Sequence, residues 1–222
     1  MPWHVKAKGG YARGSAEAND NVDMIYSILY NLGWTVNAVS ALCGNIQHEG
    51  GMNPWRWQSD RVPSVTQSPW TNRGYGLVQF TPGGKYINAA EAKAIAGYGP
   101  NFSDVTGSQN DGYAQVHYID GYADYYPTSA YPLSYAEFKA STESPVYLAS
   151  AWLYNYERPA DPAGSEGERQ ESAEYWYTYL SGEEPPTPPD PPTPPDPPGP
   201  GPGPSYRTRR IPIWMYGRRR LF

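Results

Sequence analysis

The chain has 222 residues, 39% of them hydrophobic and 15% aromatic, enough for one sizeable core plus an appendage but not for two full domains. A single cysteine, Cys43, excludes an intrachain disulfide framework, and three scattered histidines (His4, His48, His117) argue against a zinc site, so neither metal nor cofactor is expected. The formal net charge is −5, the first 182 residues carry 11 Lys+Arg against 18 Asp+Glu and so have no nucleic-acid footprint, and no apolar run approaches the roughly 18 residues of a membrane span.

Residues 1–18 read as an N-terminal arm, and the opening "MPWHVKAKGGYARGSAEAND" lacks the apolar stretch of a secretory signal. A first helix is predicted in "NDNVDMIYSILYNLG", with Val22, Ile25, Ile28, Leu29 and Leu32 at helical spacing and Gly33 closing it. "TVNAVSALCGNIQHEGG" repeats the pattern: Thr35 is the N-cap, Val36, Val39, Leu42, Cys43 and Ile46 share a face, and Gly50-Gly51 ends the helix. Residues 53–90 are rich in loop formers, with one short extended candidate, "YGLVQF". "DGYAQVHYIDGYADYY" has helical spacing interrupted by glycines. "SPVYLASAWLYNYE" begins with a Ser-Pro cap and is apolar nearly all round, as suits a central helix packed on several sides. "GERQESAEYWYTYL" closes the domain as an amphipathic helix, which bounds it at 19–182.

Composition then changes sharply. Residues 183–204 contain the hexad PPTPPD twice, at 185–190 and 191–196, and carry four acids and no base. Proline fixes φ and removes a donor, so this linker is expected as polyproline II, about 60 Å long at roughly 3.1 Å per residue. Residues 205–222 hold six Arg and no acid, interleaved with Ile211, Ile213, Trp214, Met215 and Tyr216. Such a basic, aromatic tail suits docking into a partner or lying on an anionic surface.

Chemistry centres on Glu49, three residues after Ile46 at the last turn of a mainly buried helix. A carboxylate there either caps the helix end or lines a cleft. The negative end of the helix dipole and apolar packing both penalise its ionised form, so its pKa is expected to rise, as a group that protonates a departing sugar oxygen requires. In "GYGLVQF", glycines that let backbone approach a ligand accompany one amide, Gln79, between apolar neighbours. "AWLYNYE" sets Tyr154, Asn155 and Tyr156 in a helix that otherwise reads as buried. Trp55 and Trp57 suit stacking on sugar rings and packing beneath a cleft equally well. Arg158 is expected to pin a loop, with Glu157 as a possible partner.

Taken together, "GWTVNAVSALCGNIQHEGGMNPWRWQ", "GYGLVQFTPGGKYINAA" and "LASAWLYNYERPADP" resemble the phage tail lysozyme family, within the superfamily of goose-type lysozymes and lytic transglycosylases. The resemblance covers residues 19–181. It implies an α+β, mainly α, lysozyme-like fold with a small β-lobe flanking a sugar cleft, followed here by the extended Pro-rich C-terminal segment. It further implies hydrolysis of peptidoglycan at the β-1,4 bond between N-acetylmuramic acid and N-acetylglucosamine. Glu49 matches the family's catalytic acid. Gln79 and Tyr154 fall on cleft-lining motif positions, with Asn155 beside them, and Tyr75 and Trp57 join them as substrate-binding candidates. Asp60 is the natural second carboxylate, although a solvated loop aspartate reads equally well, and a transglycosylase needs none. Two departures stand out: Gly50 replaces the usual Ser after the acid, and Phe80 the usual Trp.

The expected partners are a peptidoglycan strand and, through the tail, other phage tail proteins. The expected location is the virion, with action on the host wall during genome delivery. An endolysin acting at host lysis, and a non-catalytic virion or wall-binding protein, are the alternatives.

Overall fold

A computed structural model of the chain describes residues 2–60, 73–89, 91 and 110–182. The Pro-rich linker and the basic tail lie outside the described residues. Among the described residues the α-helices run in the order α1 (Ala16–Asn31), α2 (Val36–Glu49), α3 (Gly84–Ile87), α4 (Asp111–Tyr122), α5 (Tyr135–Ala140), α6 (Pro145–Trp152) and α7 (Ala163–Leu180). Between α6 and α7, residues Leu153–Glu157 form a π turn.

Local chemistry accounts for most of the boundaries. Ser15 and Thr35 cap α1 and α2 by accepting from the backbone N–H groups of Ala18 and Ala38. The Ser15 cap starts α1 earlier than the apolar periodicity suggests. Ser134 and Glu137 form a reciprocal capping box on α5, and Ser144 caps α6 ahead of Pro145.

α2 lies at the centre, packed mainly against α7 and α6. Ala38, Val39, Ala41, Leu42, Cys43 and Ile46 are all fully buried, so this helix is enclosed on more than the one expected face. Close approach is possible because residue 44 is glycine: a Cβ there would lie 2.6 Å from the Arg169 carbonyl and 2.7 Å from the Ala173 nitrogen. The α7 stripe facing α2 reads Arg169, Ala173, Trp176, Leu180. Cys43 is a buried free thiol whose pKa burial drives upward, so it acts as apolar filler.

Tyrosine fills two aromatic clusters, with its hydroxyls bonded to the protein. In the first, Trp34, Tyr125, Tyr135, Phe138 and Trp152 meet with ring centroids 5.2–6.4 Å apart, and the Tyr135 hydroxyl donates to the Ile119 carbonyl at 2.5 Å. In the second, Trp57, Tyr75, Phe80, Tyr86 and Tyr118 pack together, and the buried Asp111 accepts from Tyr75, Tyr86 and Gln115.

The β-lobe expectation is met only by fragments. Among the described residues the extended structure consists of isolated antiparallel bridges, Trp57 with Tyr75 and Tyr75 with Phe80. "YGLVQF" is a tight turn rather than a strand: Tyr75 and Phe80 exchange backbone hydrogen bonds of 3.2 and 2.9 Å. Gly76 (φ +83°) and Gln79 (φ +47°) adopt left-handed conformations that end any extended run.

The N-terminal arm is fastened to the domain. The Asn21 side chain donates to the carbonyls of His4 and Met52, and that of Asn53 to Lys6 and Gly9. Tyr11 N–H donates to the Gly51 carbonyl at 2.7 Å. Among the described residues no helix is long and apolar enough to cross a membrane, and no cluster of three or more His, Cys, Asp or Glu could hold a metal ion.

Candidate functional site

Glu49 is the last residue of α2 and lines an open cleft of about 780 Å³. The wall opposite the helix end is the Tyr75–Phe80 turn, and Gly50 lets it in. A Cβ on Gly50 would lie 2.5 Å from the Leu77 carbonyl oxygen and 2.8 Å from that of Gly76. At this position there is no room for a side chain. Gly50→Ser is expected to push the turn away and cost about 1–3 kcal/mol, read as a lower urea midpoint at unchanged slope. An unshifted midpoint would contradict that contact.

Around Glu49 the cleft gathers Arg56, Gln58 and Ser59 from the segment before the turn and Gln79 and Phe80 from the turn itself, with Thr81 and Lys85 beyond it. Tyr118 and Tyr122 come from α4, and Asp124, Tyr156, Glu157, Arg158 and Pro159 complete the lining. Tyr118 and Tyr122, four residues apart on α4, stack at 5.1 Å, and Tyr122 is half exposed. Polar edges beside exposed rings suit a ligand with hydroxyl rims and apolar faces, as sugars have.

Glu49 itself is not a lone acid. The Arg169 guanidinium on α7 donates through Nη2 to Glu49 Oε1 at 2.5 Å and through Nη1 to Asn45 Oδ1 at 3.1 Å. Arg169 is only 2% exposed. A second carboxyl, Glu157, ends the π turn and lines the same cleft. Its Oε1 accepts from Trp152 Nε1 at 3.0 Å. Burial and the neighbouring Glu49 charge push the Glu157 carboxyl up to about 8, against weaker lowering by that indole N–H and by Arg169.

The other candidates divide. Gln79 lines the cleft, but its amide donates to the carbonyls of Arg56 (3.0 Å) and Gly76 (2.9 Å), so it first of all holds the turn in shape. Tyr75 and Trp57 lie beneath the cleft, with rings 4.5 Å apart and the Tyr75 hydroxyl committed to Asp111; for these two the packing alternative fits the geometry. Asn155 is buried, donating to the Tyr125 hydroxyl and the Tyr131 carbonyl and accepting from Thr128 N–H. Tyr154 stacks on Tyr131 at 5.2 Å and donates to Glu166. The structure does not bring Tyr154, Asn155, Tyr75 or Trp57 to the cleft lining, because their hydrogen bonds and rings are used to join segments of the domain.

Asp60 points to the arm. Its Oδ1 accepts from Gly9 N–H at 2.7 Å and from Arg56 Nε at 3.2 Å, and it does not line the cleft. The Gly9 N–H, together with the Arg56 and Lys8 charges, holds this carboxyl below its usual range against opposing desolvation. Arg158 pins a loop as expected, but onto the carbonyls of Tyr156 and Asp124 and over the Tyr126 ring rather than onto Glu157.

Periodicity alone missed Glu157, Arg169, Tyr118 and Tyr122. Two signals were available. An arginine heading the apolar stripe Arg169-Ala173-Trp176-Leu180 must be buried and needs an acid, and Tyr118-Tyr122 share one helix face.

Glu49 thus stands at the end of a buried helix, above a cleft of rings and polar edges. The sequence profile of the phage tail lysozyme family matches residues 20–180, and the chain belongs to that family. Morphogenesis protein 1 of Bacillus phage B103 is 33% identical to it over 166 residues, which cover 75% of this chain and 40% of that protein. The chain thus spans well under half the length of that curated relative.

Proposed function

We propose that this protein is a muramidase of a phage tail, which cuts the β-1,4 bond between N-acetylmuramic acid and N-acetylglucosamine and opens the host wall during genome delivery. The observation that carries this reading is Glu49, at a buried helix end and opening on the aromatic and polar cleft, within a chain of the phage tail lysozyme family. In this reading Glu49 protonates the glycosidic oxygen as its bond to carbon breaks. Arg56, Lys85 and Arg158 on the lining suit the carboxylates that peptidoglycan carries on its lactyl and peptide groups. Gln79 supports the cleft from the turn. The Pro-rich linker and Arg-rich end favour attachment to other tail proteins over free diffusion.

Asp60 is assigned to the arm rather than to the reacting bond. Asp60→Ala is expected to loosen residues 2–14, seen as faster amide exchange at Gly9, with wall lysis near the wild-type rate. Loss of lysis with the Gly9 amide still protected would restore Asp60 as the second carboxylate.

The reading is tested by turbidity loss of purified Gram-positive walls, followed by mass spectrometry of the released muropeptides. New reducing ends on muramic acid are expected. 1,6-Anhydro products would make the enzyme a lytic transglycosylase instead, and intact walls would end the enzymatic reading.

A further inference from the structure

We propose that Tyr122 and Tyr126, which flank Asp124 in the chain, form a second sugar-binding subsite on the rim of the cleft. It holds an N-acetylhexosamine unit of the same glycan strand, apart from the two units joined at the bond beside Glu49. Such a subsite presupposes that the cleft is a glycan groove.

Among the described residues the exposed large hydrophobic side chains are Tyr30, Leu32, Tyr122, Tyr126 and Tyr175. Two of these lie within two residues of Asp124, a lining residue of the cleft, and are 51% and 58% exposed. A ring left half in water forgoes the burial it could have had, and exposed rings grouped beside polar side chains mark a place where a ligand supplies the missing cover.

The two rings are held rather than loose. Tyr122 is the last residue of α4 and stacks on Tyr118 at 5.1 Å, with the planes 21° apart. Tyr118 is itself wedged edge-on against Phe80 and Tyr86, and its hydroxyl donates to the Lys85 carbonyl at 3.1 Å. Tyr122 therefore has a fixed backing that reaches into the buried aromatic cluster. The Tyr126 N–H donates to the Asn155 carbonyl at 2.9 Å, and the Arg158 guanidinium lies 4.9 Å from the Tyr126 ring. Little rotamer freedom is then left to lose when a ligand lands on either ring.

A polar edge runs between the rings. Lys85 Nζ pairs with Asp124 Oδ2 at 2.8 Å, both side chains about half exposed, and Arg158 Nη2 donates to the Asp124 carbonyl at 3.2 Å. An exposed ion pair contributes little to stability, so its oxygens and N–H groups remain within reach of hydroxyl and acetamido groups. A pyranose offers the matching pattern, a flat C–H face for a ring and hydroxyls around its edge. A stem peptide fits less well, because Lys85 and Asp124 already answer each other's charge. The subsite is continuous with the cleft: Glu49, Lys85, Tyr118, Tyr122, Asp124 and Arg158 line one cavity.

Peptide-free glycan oligomers of alternating N-acetylglucosamine and N-acetylmuramic acid, from disaccharide to octasaccharide, are titrated calorimetrically into the Glu49→Gln protein, so that the ligand survives. Adding Tyr122→Ala is expected to weaken the longest oligomers by about tenfold and to leave the shortest that binds unchanged. Tyr126→Ala should act in the same direction, and Tyr122→Phe, which keeps the ring, should restore most of the loss. Equal loss at every length, or no loss with either alanine variant, overturns the subsite while leaving the glycan cleft standing. Binding of a free stem peptide that the alanine variants abolish would make the rim a peptide site instead. Failure of every oligomer to bind would overturn both the subsite and the glycan reading of the cleft.

Discussion

Glu49→Gln is expected to lower the rate of wall lysis by about a hundredfold to ten-thousandfold, the range that a positioned proton donor contributes. The substitution is discriminating because glutamine keeps an oxygen where Arg169 needs an acceptor and removes only the titratable proton. The buried guanidinium keeps a hydrogen-bond acceptor but loses its counter-charge, so the near-UV circular dichroism should stay close to that of the wild type while the thermal midpoint falls. A folded Glu49→Gln protein that still clears walls at a comparable rate would remove Glu49 from the chemistry.

Arg169→Met is expected to act on the fold, costing about 3–5 kcal/mol, because it strips a half-buried carboxylate of its counter-charge and leaves Asn45 without a donor. The cost should be strongly non-additive with that of Glu49→Gln. Once the negative charge is gone, the missing cation matters less, so the double variant should be more stable than the sum of the two single losses predicts. Urea denaturation of the four proteins measures this directly. A loss under about 1 kcal/mol for Arg169→Met, or strict additivity, would show that the contact between α2 and α7 is incidental.

What the sequence disclosed and what it withheld follow a physical division. Helices α1, α2, α6 and α7 were legible because caps and apolar spacing are local properties, set by Ser15, Thr35, Ser144 and the residues just after them. α5 was overlooked although Ser134 and Glu137 spell out a capping box. The place of Glu49 on a cleft was legible because a carboxyl at the end of an apolar helix is anomalous wherever it occurs. The directions in which Tyr154, Asn155, Tyr75 and Trp57 turn were not, because nothing local tells a ring or amide turned toward a cleft from one turned toward its own chain. Asn155, for example, is spent on Tyr125, Thr128 and Tyr131, all contacts across more than twenty residues. Nor does spacing alone bring Arg169 to Glu49, 120 positions earlier in the chain.

The wide turn at Leu153–Glu157 carries one residue more than an ordinary helical turn would hold over the same rise. Excising a single residue from it would swing everything that follows by about 100° around the axis. Glu157 would then face another side of the domain while every side chain named above kept its identity. In a homologue the place of this carboxyl thus depends on a length as well as on an amino acid: the same glutamate after a regular helix would face away from the cleft.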